Sequence, residues 1–535
     1  MGIIARQSIK GTIVTYLGVF VGFLTTFFVL TRFLTTEEIG LARVLIDTGT
    51  LFIGLAQMGT SSSIIRFFPY FNTKSSVHSS ALLNSCTPEL HSNRANGFYF
   101  WTVIIPLFGF ALIAFIYWLL HDSIAAVFSE KSALFVNYYY AVLPLAFFML
   151  YQTIFEVNAN VLMRIVFPRA VRELFLRLFL LAAYLLYAFR VVSMDGFIIL
   201  LCSAYGLAAL MNIIYLFAYG HVSLKPDFHF VTATLARKYL FYALFQITAA
   251  VATVLAPFIS SYYITATMGL EYTGIFAIAT YIATMVAIPN RSLNAIANPQ
   301  LAQTIKDNDH ESLSTLLKQV CNNSFLVGAF ILTAIWLNID LIFLILPNGS
   351  TYAVAKYVVL FLALSQLTIA TLNATNSVLN FSRFYYLALL YSFILTVSAI
   401  LFNNRLIPLY GMNGAALANL FSYLLYFALM LITLAICLKV NPFCPGHLKT
   451  LLLTVLLLAA GFAIDSFSPI GPISLIDPIS LINSSTKVGE VALAPEGYVF
   501  PLILKNLLWL AALWVAYRWR ISPELNQTLR ERLTK

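Results

Sequence analysis

Fourteen apolar runs, each long enough to cross a bilayer as a helix, constrain this chain more than any other feature. They occupy 11–33, 44–65, 98–120, 136–158, 174–192, 196–218, 241–264, 273–297, 322–346, 354–380, 384–403, 411–438, 448–465 and 499–517. Crossing about 30 Å of hydrocarbon takes roughly 20 helical residues. Backbone polar groups in lipid must find partners inside the protein, which leaves helices or a closed barrel. Barrel strands alternate apolar and polar positions over about ten residues, and LFVNYYYAVLPLAFFML (134–150) does not. Composition agrees: 61% of residues are hydrophobic and 10% charged, against about 45–50% and 25% in soluble domains. The expected fold is an all-α polytopic membrane protein with about 14 transmembrane helices.

Orientation is read from Lys and Arg, which favour the cytoplasmic side. With a cytoplasmic N-terminus, that side receives Arg6, Lys10, Arg66, Arg164, Arg169, Arg172, Arg177, Arg237, Lys238 and Arg383. An even helix count returns the basic tail YRWRISPELNQTLRERLTK (517–535) to the same side. The expected location is the cell (inner) membrane, multi-pass, with both termini cytoplasmic. The net charge of +10 then reflects topology and lipid headgroups, and no nucleic-acid partner is implied. The first run is too long for a signal-peptide core and lacks a small-residue cleavage pattern, so it reads as a retained helix. Cys86, Cys202, Cys321, Cys437 and Cys444 lack metal or redox spacing. They read as packing residues, and no cofactor is expected.

The chain also matches itself. A shift of 234 positions lays TRFLTTEEIGLARVLIDTGT (31–50) on TATMGLEYTGIFAIATYIAT (265–284), pairing Thr31 with Thr265, Glu37 with Glu271, Gly40 with Gly274, Leu41 with Ile275 and Thr50 with Thr284. Same-direction repeats of an even number of helices are related by an axis along the membrane normal. The expected organisation is an N-terminal six-helix bundle (1–220) and a second six-helix bundle (221–438) related by pseudo-twofold symmetry. An appended helix pair, 13 and 14, occupies 439–535 with a long outer loop and the basic cytoplasmic tail.

Polar residues interrupt several runs at helical spacing. Gln366, Asn373, Asn376, Asn380 and Arg383 follow one another at intervals of 7, 3, 4 and 3, and Gln152, Glu156, Asn160 and Arg164 at intervals of four. Each set occupies one helical face. The eighth run adds Asn290, Arg291, Asn294 and Asn298 after Pro289, and the first two add Arg32, Arg43, Asp47 and Arg66. An ionised group near mid-bilayer costs roughly 2.5–3.5 kcal/mol on insertion scales, so such groups usually face a bundle interior or a wet cavity. Two uses fit the amides: cavity lining, and interhelical hydrogen bonds worth about 0.6 kcal/mol each. Arg66, Arg164 and Arg383 suit snorkelling at cytoplasmic ends. Arg32 lies on the disfavoured side, and Arg291 lies about six residues, roughly 9 Å, inside the end of its run. Asp47 stands one turn from Arg43 and reads as its ion pair, whereas Glu156 is open to either pairing or ion binding.

The run VLTRFLTTEEIGLARVLIDTGTLFIGLAQMGTSSSIIRFFP (29–69) resembles the N-terminal signature of polysaccharide-biosynthesis (O-antigen type) flippases. These belong to the MATE-like superfamily of multidrug, oligosaccharidyl-lipid and polysaccharide exporters. The resemblance rests on Arg32, Glu37, Glu38 and Gly40 after the first helix, and on Gly59 to Ser63 with Arg66 at the end of the second. It is sharpest over 1–70 and extends loosely to 438. Many relatives stop at twelve helices, and the 466–498 loop is long for the family; fourteen helices resemble the lipid II branch.

The resemblance implies a flippase and no enzyme. Its cargo would be a polyprenyl-pyrophosphate-linked oligosaccharide, a polysaccharide or lipopolysaccharide O-antigen repeat unit, moved from the cytoplasmic to the outer leaflet by alternating access. Guanidinium groups suit the phosphates and amides suit the sugar hydroxyls. The candidate substrate-binding residues are Arg32, Arg66, Gln152, Asn160, Arg291, Asn294, Gln366, Asn373, Asn376 and Asn380, with Asp47 and Glu156 as ion-coupling candidates. The implied partners are the lipid-linked oligosaccharide, membrane lipids and other polysaccharide-assembly proteins. Helices 13 and 14 would offer a groove for the polyprenyl tail.

Two rivals stand beside this expectation. A multidrug or cation-coupled exporter of the same fold would be expected to present acidic residues to cationic drugs. A membrane-bound glycan polymerase or ligase would carry an Arg-rich outer loop, and 466–498 contains no Arg. Asp307-Asn308-Asp309 matches an acidic metal-binding pair but sits in a short loop, where a solvated charge run is the simpler reading.

Overall fold

Thr35 and Glu38 show how local sequence sets the helix boundaries. The Thr35 hydroxyl accepts from the Glu38 N–H at 3.2 Å, and the Glu38 carboxylate accepts from the Thr35 N–H at 2.8 Å. This capping box satisfies two donors that a helix start leaves open. Glu37 and Glu38 also sit at the positive end of the helix dipole. The acidic turn TTEE is therefore first of all a helix start.

The computed structural model describes residues 3–64, 88–162, 166–220, 255–307, 309–467 and 495–519. Among these there is no strand, and ten helices are long and apolar enough to span a bilayer. The protein is a multi-pass membrane protein. Its chain divides into two compact units, Met1–Phe258 with Thr265–Gly274, and Ile259–Ile264 with Ile275–Lys535.

In the first unit, α1 (Ile3–Leu24) continues through a π-helical turn, Thr25–Leu30, to Phe33. It is followed by α2 (Thr36–Ala56), α3 (Pro88–Leu119), α4 (Val142–Val161), α5 (Leu176–Ala188) and α6 (Met194–Gly220). A second π-turn, Val171–Phe175, precedes α5. The core joins Ala56 and Ile64 to Tyr99 of α3, Leu150, Ile154 and Phe155 of α4, and Leu216 of α6. The second apolar run does not stay helical throughout. After Ala56 the chain turns through Met58 and Gly59, both at positive φ (46° and 70°), before helix resumes at Thr60. The Thr265–Gly274 segment is tied to this unit by Ser132, whose hydroxyl donates to the Thr265 carbonyl at 2.7 Å.

The second unit carries most of α7 (Leu270–Thr284), then α8 (Ile288–Lys306), α9 (His310–Leu337), α10 (Lys356–Phe381), α11 (Tyr385–Thr433), α12 (Pro445–Phe467) and α13 (Pro495–Arg518). The eighth run is divided by a 3-10 turn, Met285–Ala287, because Pro289 suits the first turn of a new helix and not a helix interior. The eleventh and twelfth runs are one helical stretch reversed at Gly411, whose φ of 55° and ψ of −133° are open to glycine. One core forms where Ala297 and Leu301 meet Leu313, Leu317, Cys321 and Val378. A satellite core holds the last helices against α9 through Leu326, Leu453, Leu457 and Ala512.

Candidate transport site

In the first unit, the polar groups on α2 and α4 follow different rules. Arg43 donates through Nε to Asp47 at 2.8 Å, and Asp47 is buried. The pairing expected from their one-turn spacing is present, and it offsets the cost of burying the carboxylate. Arg32 is exposed at the end of the first helix, its guanidinium 5.7 Å from the centre of the Phe33 ring. On α4, Gln152 and Glu156 are buried and Asn160 is half-buried. Gln152 Nε2 and Asn160 Oδ1 are buried atoms that make no hydrogen bond among the described residues, and each leaves a polar group unsatisfied. Glu156 meets Arg172 Nη1 at 2.9 Å.

Arg172 is the residue the sequence pattern did not single out. It reaches Glu156 with one nitrogen and Glu173 with the other, at 3.4 Å. Glu173 also receives Arg177 at 3.2 Å, and Arg177 donates to the Gly18 carbonyl of α1 at 2.6 Å. The Val171–Phe175 π-turn presses directly on α1: a Cβ on Gly18 would lie 1.9 Å from the Glu173 carbonyl oxygen. The only signal of this ladder in the sequence was the density of charge in RAVRELFLR (169–177), which reads equally well as positive-inside anchoring.

In the second unit, Asn290 is fully buried, and neither end of its amide makes a hydrogen bond among the described residues. Asn294 Oδ1 and Asn298 Oδ1, one and two turns further along α8, share that state. Both are half-buried. The Arg291 side chain lies outside the described residues, as do Arg66 and Arg164. On α10, Gln366 and Asn376 are half-buried, and Asn373, Asn380 and Arg383 are exposed. Asn380 donates to Asn376 at 3.1 Å, and Arg383 lies 4.8 Å from the Phe384 ring centre. The amides therefore form a ledge on the more exposed side of α10, while Ala374, Val378 and Leu379 turn into the core.

Two further charge groups are accounted for locally. Asp309 caps α9 by accepting from the Ser312 N–H at 3.0 Å. Asp307 accepts from Gln303 at 2.9 and 3.0 Å. The acidic pair of the 307–309 stretch is thereby used at helix ends. At the other end of α9, Lys356 meets both oxygens of Asp340, at 2.8 and 2.9 Å, and buried Lys505 of α13 lies 3.9 Å from the same carboxylate. Asn338 and Asn506 exchange amide hydrogen bonds at 3.2 and 2.9 Å, and Trp509 donates to the Phe330 carbonyl at 3.1 Å. This set fastens α13 to α9, and none of it was legible as a site in the sequence.

No family model and no curated protein matches the sequence. Solved structures do match. Lipid II flippase MurJ in an inward closed conformation superposes with a TM-score of 0.66 at 12% identity, over 97% of this chain and 100% of that one. The fold is that of the MATE-like transporters. An inward-facing multidrug resistance MATE family transporter of the MOP superfamily gives 0.57 at 13% identity, over 82% and 96% of the two chains. The Vibrio cholerae MATE transporter VcmN gives 0.56 at 13%, over 81% and 98%. At these identities the likeness to MATE-like proteins is one of fold, and the proteins sharing the fold are transporters and flippases.

Proposed function

We propose that this protein is a flippase that carries a polyprenyl-pyrophosphate-linked oligosaccharide, a repeat unit of a surface polysaccharide such as O-antigen, from the cytoplasmic to the outer leaflet of the inner membrane. Both termini are cytoplasmic in this reading, and no chemical step is performed on the glycan. The arrangement is the fourteen-helix one expected from the sequence repeat: two six-helix bundles, 1–220 and 221–438, with an added helix pair. Other polysaccharide-assembly proteins are its expected partners.

The observation that carries this reading is coverage. The superposition on the lipid II flippase takes in 97% of this chain, whereas the two MATE transporters leave about a fifth of it unmatched, at 82% and 81%. Amides with unfilled hydrogen-bonding capacity on α4 and α8, an amide ledge on α10 and the Arg172 guanidinium beside Glu156 of α4 support the reading. The ligand set is Arg32, Arg66, Gln152, Asn160, Arg291, Asn294, Gln366, Asn373, Asn376 and Asn380. Glu156 is the better coupling candidate, since Asp47 is held by a neighbour on its own helix whereas the partner of Glu156, Arg172, comes from another segment and is exposed.

Complementation tests the assignment. In cells deleted for this protein, Arg32→Ala and Arg291→Ala should each lower surface polysaccharide display at unchanged protein level. Full display from both variants would remove the phosphate-binding role given to those arginines.

A further inference from the structure

The Glu156–Arg172–Glu173–Arg177 ladder has an uneven exposure that suggests a use. Side-chain exposure is 9% for Glu156 and 13% for Glu173, rises to 27% for Arg177, and reaches 46% for Arg172. The most accessible member is thus the one that neutralises the most buried carboxylate. Arg172 commits Nη1 to Glu156 and Nη2 to Glu173. A guanidinium carries five N–H donors in a planar fork, so an edge is left for a third anion. Phosphate oxygens match that fork in a two-pronged geometry, with more charge than a single carboxylate brings.

Removing the guanidinium from Glu156 has a defined consequence. Among the described residues, the charges acting on Glu156 are Arg172, Glu173 and Arg169, all from the 166–175 segment. Of the helices packed on α4, α2 brings Arg43 and Asp47, which bond each other. Among the described side chains, the titratable groups of α3 are Tyr99 and Tyr117, and those of α6 are Asp195, Cys202, Tyr205 and Tyr215. None of these offers a cation to replace Arg172. A buried carboxylate deprived of its partner is costly as an anion and becomes neutral by binding a proton.

We propose that Arg172 exchanges its guanidinium between Glu156 and the phosphate of the lipid-linked substrate, and that Glu156 takes up a proton when Arg172 leaves. The proposal rests on the flippase reading and adds to it a residue and a coupling route. Bonds are exchanged without covalent change: the Arg172–Glu156 ion pair opens, the Arg172–phosphate pair forms, and one solvent proton joins Glu156. Linkage makes the effect reciprocal. Protonating Glu156 frees Arg172, so phosphate binding strengthens as pH falls; at high pH the ionised carboxylate competes for the same guanidinium.

The test uses the purified full chain in phosphatidylcholine nanodiscs, with farnesyl pyrophosphate as the probe, at pH 6 and pH 8. Wild type should bind more tightly at pH 6, by about tenfold if the linkage amounts to one pK unit. Glu156→Gln should bind at pH 8 about as tightly as wild type does at pH 6, keeping only the probe's own pH dependence. Arg172→Gln should weaken binding about tenfold or more at both pH values, and Arg172→Lys should restore part of it. Unchanged binding in Arg172→Gln overturns the proposal while leaving the flippase reading standing. So does a loss in Glu156→Gln matching that of Arg172→Gln, which would make the pair a structural brace. Displacement of the probe by phosphatidylglycerol in the disc would assign Arg172 to lipid headgroups and also overturns it. No binding by wild type sinks the proposal and the reading together. If Arg172→Gln fails to fold, the Glu156→Gln arm decides alone: a gain in affinity at pH 8 supports the exchange, and no gain overturns it.

Discussion

Gly40 and Gly274, which the 234-residue repeat makes equivalent, touch each other. A Cβ built on Gly40 would lie 2.0 Å from the Leu270 carbonyl oxygen and 3.1 Å from Gly274 N; one on Gly274 would lie 1.9 Å from the Thr36 oxygen and 3.1 Å from Gly40 N. Thr36 and Leu270 are themselves repeat partners, so the contact is locally two-fold. Lipid supplies no hydrophobic drive for helices to associate, which makes such close backbone approach valuable. Gly40→Ala or Gly274→Ala should each destabilise the protein by about 1–3 kcal/mol through overpacking against backbone. Gly206→Ala is the control, since its Cβ would meet Phe148 at an ordinary 3.5 Å. Thermal unfolding in detergent should show both glycine variants lowered and the control near wild type.

The Asp340 cluster leads to a second prediction. Replacing Asp340 by Ala leaves Lys356 and buried Lys505 facing each other without their shared carboxylate. With Asp340 and Lys356 half-buried and only Lys505 fully buried, removing the shared carboxylate should cost about 1–3 kcal/mol, less than for a fully buried pair. Lys505→Met should cost less, because Asp340 keeps Lys356 at 2.8 Å. Unfolding midpoints for the two variants, with the order Asp340→Ala below Lys505→Met below wild type, check this; the reverse order would contradict it.

The two membrane carboxylates should behave differently. Asp47 is held by Arg43 on its own helix, so Asp47→Asn is expected to lower stability while leaving the pH dependence of transport as in wild type. Glu156→Gln is expected to flatten that pH dependence. Transport assayed in vesicles across pH 6 to 8 separates the two, and an unaltered profile in Glu156→Gln would exclude it from coupling.

At the start of α9, the Ser312 side chain and N–H hold the Asp309 carboxyl below its usual range. A carboxylate depressed in the folded state stabilises above its unfolded value, and that stabilisation is lost as pH falls through the folded one. Hydrogen-exchange protection at the Ser312 amide should therefore fall between pH 7 and pH 3, and Asp309→Ala should already be low at pH 7. Equal protection in variant and wild type at pH 7 would show that the cap is idle.

What was legible in the sequence follows from the range of each interaction. Ten spans among the described residues could be read because lipid imposes a length and a polarity on every crossing segment, the 241–264 run lying largely outside those residues, and the Arg43–Asp47 pair could be read because it lies within one turn. The break between the eleventh and twelfth runs could be read from the polar stretch NNRLIPLYGMNG, and the structure puts the turn at Gly411, the start of the twelfth run. The capping box at Thr35 and Glu38 carried its own signature, which the acidic turn had obscured as a family mark. Arg172 and Lys505 were invisible as partners of Glu156 and Asp340, since only folding brings residues 16 and 165 positions apart into contact. The amides of α8 and α10 announced their spacing but not their surroundings: Asn290 is sealed in while Asn373 and Asn380 are exposed.

The most direct measurement is a sidedness assay on vesicles containing the purified protein and a polyprenyl-pyrophosphate-linked oligosaccharide placed in one leaflet. A flippase should bring the intact glycan to the opposite leaflet in a protein-dependent way, at a rate reduced in Arg32→Ala. Glycan that stays where it was placed, or that is chemically altered without crossing, would contradict the assignment.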